Sequence, residues 1–145
     1  MTVSLRPHQQ DALNALQTNS IGQCIFPTGG GKTLVAIMDA VKRFEVSTPR
    51  TIVVVCPRIL LVEQVTNANV LHVHSGETKH FRTTKTDRIK LFVDMCQTVR
   101  EHVIIFTTYH SLHRIVDADI DVDTIYFDEA HNSVQRNFHE SVKYF

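Results

Sequence analysis

Apolar and polar positions along this chain fall into blocks that read by turns as strands and helices. Residues 21–26 form an apolar run that leads straight into Pro27, Thr28, Gly29, Gly30, Gly31, Lys32 and Thr33. Beyond them Leu34, Val35, Ile37, Met38 and Val41 recur at three- and four-residue spacing, which predicts a helix to about Glu45. Ser47, Thr48, Pro49 and Arg50 break it. Residues 51–56, TIVVVC, are β-branched and apolar throughout, as a strand buried on both faces should be. Residues 59–65 read as a helix with Glu63 and Gln64 outward, and 70–74 as a short strand. There His72 and His74 share one face, as a satisfied or solvent-facing pair. Residues 77–86 are a polar loop carrying Lys79, His80, Arg82 and Lys85, either solvated or able to meet phosphates. Residues 87–100 predict an amphipathic helix with Ile89, Leu91, Phe92, Met95, Cys96 and Val99 as apolar positions. Residues 102–106 are another buried strand, and 124–127 a last β-type run. At the front of the chain, Pro7 suits the first turn of a helix. The apolar face of that helix, from Ala12, Leu13, Ala15 and Leu16, ends near Asn19 and Ser20. Strands alternating with helices at this spacing predict an α/β fold with a parallel sheet and right-handed crossovers.

Chemistry enters at two strand ends. The first is the strand, glycine loop and helix around residues 21–34. Gly29, Gly30 and Gly31 carry no Cβ, so consecutive backbone N–H groups can turn inward around a phosphate chain. The following helix presents its N-terminal amides and positive dipole end to the anion. Lys32 then sets a cation on the outer phosphates, and the Thr33 hydroxyl can ligate Mg²⁺. The strict phosphate-loop pattern wants a further glycine where this chain has Phe26. The second is the run Thr124, Ile125, Tyr126, Phe127, which delivers Asp128, Glu129, Ala130 and His131. Paired carboxylates at a strand end suit Mg²⁺-dependent phosphate chemistry: one holds the hydrated metal, its neighbour orients or deprotonates a water. Near the N-terminus Gln9 has two readings of equal weight. It is part of an amphipathic helix packed on the sheet, or its amide, donor and acceptor at once, reads the N6/N7 edge of adenine.

Composition narrows the class without changing this picture. The 145 residues suffice for one domain with a sizeable core, and 43% hydrophobic content excludes a disordered chain. No apolar run approaches a membrane span, and the N-terminus has no signal-peptide core, so an intracellular, non-secreted protein with no membrane partner is expected. Fifteen basic and fifteen acidic residues cancel, which does not advertise a nucleic-acid binder yet leaves room for a local basic track. Cys24, Cys56 and Cys96 are far apart and odd in number, and read as buried thiols rather than a disulfide framework. Nine histidines, with His72/His74 and His110/His113 as conceivable pairs, lack the accompanying spacing of a metal cage.

With both motifs in view, the chain resembles the N-terminal motor lobe of superfamily 2 helicases and translocases, DEAH type. It is closest in pattern to the branch holding UvrB, the XPB-type helicases and the type I and III restriction-enzyme motor subunits. The resemblance covers essentially the whole chain. It implies a RecA-like P-loop NTPase lobe, a mainly parallel sheet flanked by helices, with ATP and Mg²⁺ as cofactors. Leu5, Arg6, Pro7, His8 and Gln9 are similar to that branch's opening signature, with His8 where an aromatic is usual; by resemblance Gln9 contacts adenine and Arg6 helps hold the base. Pro27, Thr28, Gly29, Gly30, Gly31, Lys32 and Thr33 match the superfamily's form of the phosphate loop, in which Phe26 is no longer anomalous. Cys56, Pro57 and Arg58 through Gln64, and Thr107, Thr108, Tyr109 through Leu112, resemble two motifs that contribute backbone contacts to a nucleic-acid strand. Pro57, Arg58, Thr107, Thr108 and Tyr109 are the residues carried over. Asp128, Glu129, Ala130 and His131 match the acidic box. The implied roles are Lys32 on the β/γ-phosphates, Thr33 and Asp128 on Mg²⁺, Glu129 on the attacking water, and His131 coupling the nucleotide site to the rest of the motor.

The resemblance also sets an expectation about extent. The chain stops at Phe145, before the strand that in the family ends in Ser-Ala-Thr, and before the second lobe with its arginine finger. Residues 1–145 are therefore expected to be a partial first lobe, incomplete at its C-terminal end, whose partner is a second RecA-like lobe in cis or trans. An arginine finger is worth roughly 10³–10⁵ in rate, so little or no ATP turnover is expected of this chain alone. DNA is the expected nucleic acid through the branch resemblance, with RNA left open. The alternative is a non-catalytic nucleotide- or nucleic-acid-binding fragment, or a subunit of a split motor.

Overall fold

In a computed structural model of the chain, the described residues are 5–19, 32–56, 68–74 and 83–128. They fall into two compact units, residues 1–45 and 46–145, each taken by itself.

The first unit holds two helices, α1 (Pro7–Thr18) and α2 (Lys32–Arg43). Arg6 caps α1 in an extended conformation, with Pro7 at the first helical position, where a missing N–H costs nothing. Ala12, Leu13 and Val35 form the buried contact between the helices, joined by Leu5, Leu16 and Met38. Below that contact lies a polar clasp. Asp39, on α2, is fully buried. Its carboxylate accepts from Arg43 Nε at 2.8 Å and from the Gln17 side chain, while Arg43 Nη2 donates to the Leu16 carbonyl at 2.8 Å. A buried carboxylate is tolerable only when paired and hydrogen-bonded, and this one is both. Lys42 and Arg43 also sit in the last turn of α2, at the negative end of the helix dipole.

Among its described residues the second unit has four strands: β1 (Thr51–Cys56), β2 (Ala68–Val73), β3 (His102–Thr108) and β4 (Thr124–Phe127). All pair in parallel, in the order β2-β3-β1-β4. On one face Val53, Val55, Leu71, Val73, Val103 and Ile105 pack against helices α3 (Thr86–Thr98) and α4 (Leu112–Ala118). The other face, with Ile52, Val54, Ile104, Phe106 and His72, is buried as well. Burial on both sides is why β1 and β3 read as unbroken apolar runs.

The amino ends of the strands are tied by side chains. Asp123 Oδ2 accepts the Thr51 N–H at 2.7 Å. His102 Nδ1 accepts the Arg50 N–H at 2.9 Å, and its Nε2 lies 3.1 Å from the Val46 carbonyl. That pattern assigns the proton to Nε2. Helix α3 ends in a left-handed turn: Arg100 has φ 60°, its N–H reaches the Gln97 carbonyl, and the Glu101 N–H reaches that of Cys96.

His72 and His74 share a face as expected, and of the two settings open to them they take the buried one; the rings meet edge-on at 5.4 Å and His72 stacks on Phe106 at 5.5 Å. One expectation needs correction. In α3, Leu91, Met95 and Val99 are about three-fifths exposed (59%, 60% and 61%). Ile89, Val93 and Cys96 face the core instead, because spacing of four and then three residues keeps them on one side of the helix while the other three lie on the far side. Residues 112–118 also form a helix, in a stretch to which the apolar pattern assigns no element. The expected strand at 21–26 and helix at 59–65 lie outside the described residues.

Candidate functional site

The carboxyl ends of the strands bring the second unit's candidate residues together. Cys56 pairs with Thr108 across β1 and β3, and Val55 with Phe127 across β1 and β4. The next residue, Asp128, continues the β4 ladder by donating its N–H to the Val55 carbonyl at 2.8 Å. Cys56, Thr108 and Asp128 thus stand in one row at the end of the sheet where open α/β folds bind ligands.

The turn after β3 locks this row. Tyr109 begins a single 3₁₀ turn, Tyr109–Ser111, and is buried. Its hydroxyl donates to the Asp128 carbonyl at 2.9 Å, and its ring lies tilted against Phe127 at 6.3 Å. Thr107 is buried too, its hydroxyl donating to the Val73 carbonyl at 2.8 Å. The side chains of Thr107 and Tyr109 are therefore spent on the protein. What this segment can offer a nucleic-acid strand is its backbone and the half-buried Thr108.

Electrostatics single out Cys56. Burial, and then the negative charge of Asp128, push its thiol up to about 12. It stays protonated and is no soft competitor for a metal beside the carboxylate. Burial first, then Glu101, also raises the Cys96 thiol. Both cysteines are free.

The half-buried carboxylate of Asp128 is a hard oxygen donor of the kind Mg²⁺ takes. Among the described residues no group of three or more His, Cys, Asp or Glu could hold a metal ion. That is compatible with Mg²⁺, which keeps most of its waters and binds through one or two carboxylates plus substrate phosphates.

In the first unit, Gln9 occupies the third position of α1 and is buried. Its Oε1 accepts the Arg6 N–H at 2.9 Å, which fixes which end of the amide is the acceptor. The Arg6 side chain is exposed. Lys32 and Thr33 open α2. Pro27, Thr28, Gly29, Gly30, Gly31, Pro57, Arg58, Glu129 and His131 lie outside the described residues. Sequence reasoning missed the Asp39–Arg43 clasp and the structural use of Tyr109. An acid and a base four apart in a helix was a usable signal for the clasp; nothing local marked the tyrosine.

The family described as Type III restriction enzyme, res subunit, matches residues 2–145. The chain belongs to that family. No curated protein and no solved structure matches it. A parallel sheet flanked by helices is the RecA-like α/β lobe of this family, and the family is one of helicase-like ATP-binding domains. Among the described residues no helix is long and apolar enough to cross a membrane.

Proposed function

We propose that the chain is the first, ATP-binding lobe of a superfamily 2, DEAH-type motor that moves on or opens nucleic acid, with DNA as the favoured substrate. The observation that carries this is the placement of Asp128, with Thr107, Thr108 and Tyr109, at the carboxyl ends of the two parallel strands that flank β1. Family membership over residues 2–145 supports it independently.

In this reading Gly29, Gly30 and Gly31 cradle the phosphates with backbone amides, helped by Pro27 and Thr28. Lys32 neutralises the β/γ-phosphates. Gln9 and Arg6 take the adenine. Thr33 and Asp128 would hold Mg²⁺, which when bound would offset the charge of the phosphates. Glu129 orients the attacking water, and His131 passes the state of the nucleotide to the rest of the motor. Pro57, Arg58 and Thr108, with the backbone of Thr107 and Tyr109, line the path of the nucleic-acid strand. A second RecA-like lobe completes the motor.

Thermal melting with and without Mg-ATP tests the assignment. A ligand that binds only the folded state at about 100 times its Kd adds roughly 2.7 kcal/mol. The wild-type transition is expected to rise, and that of Lys32→Ala to stay put at an unchanged ligand-free midpoint. No shift in the wild type would remove the nucleotide site from this chain.

A further inference from the structure

We propose that Tyr109 is a positioning residue for metal binding, a strut that holds Asp128 in place from across the sheet. The inference rests on the reading that Asp128 carries Mg²⁺. In the strand order β2-β3-β1-β4, the chain leaving β3 and the chain leaving β4 are separated by β1. Two strand spacings amount to about 9–10 Å, beyond backbone hydrogen bonding. Tyr109 crosses that gap: it starts one residue past β3 and ends on the carbonyl of Asp128, one residue past β4.

The crossing matters because β4 is the shortest of the described strands. It has four residues, all only half-buried, whereas β1 is buried along its whole length. Its last residue before the site, Phe127, lies against the tyrosine ring. Asp128 itself is beyond the strand, where a chain end frays unless both its backbone groups are engaged. Here both are: its N–H donates to Val55 at 2.8 Å and its carbonyl accepts from Tyr109 at 2.9 Å. With both ends of the residue held, the Cα from which the carboxylate departs is fixed. A metal ligand has to be placed to within about 0.5 Å, and losing a group that orients it lowers metal affinity. Phenylalanine at position 109 would fill the same volume and contact Phe127 equally well, yet leave the Asp128 carbonyl unheld by this hydroxyl.

The test uses the full 145-residue chain and a fluorescent ATP analogue. The quantity read is the factor by which Mg²⁺ tightens nucleotide binding, taken as Kd in EDTA over Kd in saturating Mg²⁺, at a temperature where every variant is folded. Tyr109→Phe is expected to lower this factor about fivefold, the effect of one lost buried hydrogen bond on the ligand it orients. Asp128→Asn should abolish it. Asp123→Ala removes the acceptor of the Thr51 N–H at the other end of the same strand pair. It should lower the melting temperature without moving the factor, separating positioning from general loosening. A Tyr109→Phe factor equal to wild type, with Asp128→Asn defective, would overturn the strut while leaving the metal assignment intact. An Asp128→Asn factor equal to wild type would overturn the metal assignment and the strut with it, as would a wild type that binds no nucleotide.

Discussion

Replacing Arg43 by alanine should cost this chain more stability than any other substitution of a charged side chain in the first unit. The carboxylate of Asp39 has no exposed side-chain surface, and Arg43 is 33% exposed. Arg43→Ala removes the 2.8 Å bond to that carboxylate and the 2.8 Å bond to the Leu16 carbonyl. It leaves a buried negative charge without its cation. Breaking a buried ion pair by deleting one partner costs about 3–5 kcal/mol; because the Gln17 side chain still donates to Asp39, the lower end, about 3 kcal/mol, is the expected value. The reverse deletion is milder. Asp39→Ala leaves a guanidinium that is a third exposed and can take up water, so about 2 kcal/mol is expected. Removing both leaves no buried charge, and the double variant should be more stable than the sum of the singles by about 1–2 kcal/mol. Urea unfolding followed by circular dichroism measures all four proteins. Equal single losses, or strict additivity, would refute the reasoning, since both would mean that Asp39 is hydrated after all. Because the clasp joins the helix bearing Gln9 to the helix that opens with Lys32 and Thr33, Arg43→Ala should also weaken nucleotide binding in excess of its effect on the folded fraction.

The other expectations concern the second unit. In divalent-free buffer the Cys56 thiol, pushed up to about 12, keeps its proton when folded but releases it near pH 9 when unfolded. Folding therefore binds a proton, stability falls as pH rises from 9 toward 12, and at pH 10.5 the loss should be about 2 kcal/mol; unfolding free energies of wild type and Cys56→Ala from urea titrations should diverge from pH 8 to 10.5 by that amount. Arg100 holds a left-handed conformation (φ 60°) that costs a side-chain-bearing residue about 1 kcal/mol. Arg100→Gly should accordingly raise the melting temperature by a few degrees, and a drop would mean that the arginine side chain makes up the difference. His102→Ala removes the acceptor for the Arg50 N–H and the partner of the Val46 carbonyl, and should cost about 1–3 kcal/mol in denaturant unfolding. Leu71→Ala, at a fully buried position in the sheet, should cost about 2–5 kcal/mol.

The strands were legible wherever burial on both faces forces β-branched runs. TIVVVC at 51–56 and TIYF at 124–127 are strands over those same residues. The strand read at 102–106 runs two residues further, because Thr107 and Thr108, polar by type, stay in the ladder with the Thr107 hydroxyl satisfied by Val73. Helix α3 was legible as a helix but not in its orientation. Its sequence offers two apolar stripes, and only packing against the sheet selects Ile89, Val93 and Cys96 over Leu91, Met95 and Val99. At the candidate site, Asp128 could be placed at a strand end from the pattern before it. That Tyr109 points back across the sheet could not, since strand order and not sequence spacing makes residues 109 and 128 neighbours. His72 and His74 show the same limit: alternation put them on one face, and only the fold says that this face is closed to water.

The parallel strand order has a consequence for how the chain acquires its shape. The central strand β1 meets its neighbours through contacts that span 52 residues to β3 and 72 residues to the turn before β4. On a ribosome adding about 5–20 residues each second, this fully buried strand leaves the exit tunnel several seconds before either of its partners emerges. Among the described strands all pairings are parallel and none is local, so none of them forms a hairpin to shelter it meanwhile. Nascent chains of this protein should therefore depend on slow translation or a holding chaperone until residue 127 has emerged, and rapid overproduction should send β1 into aggregates before the sheet can close around it.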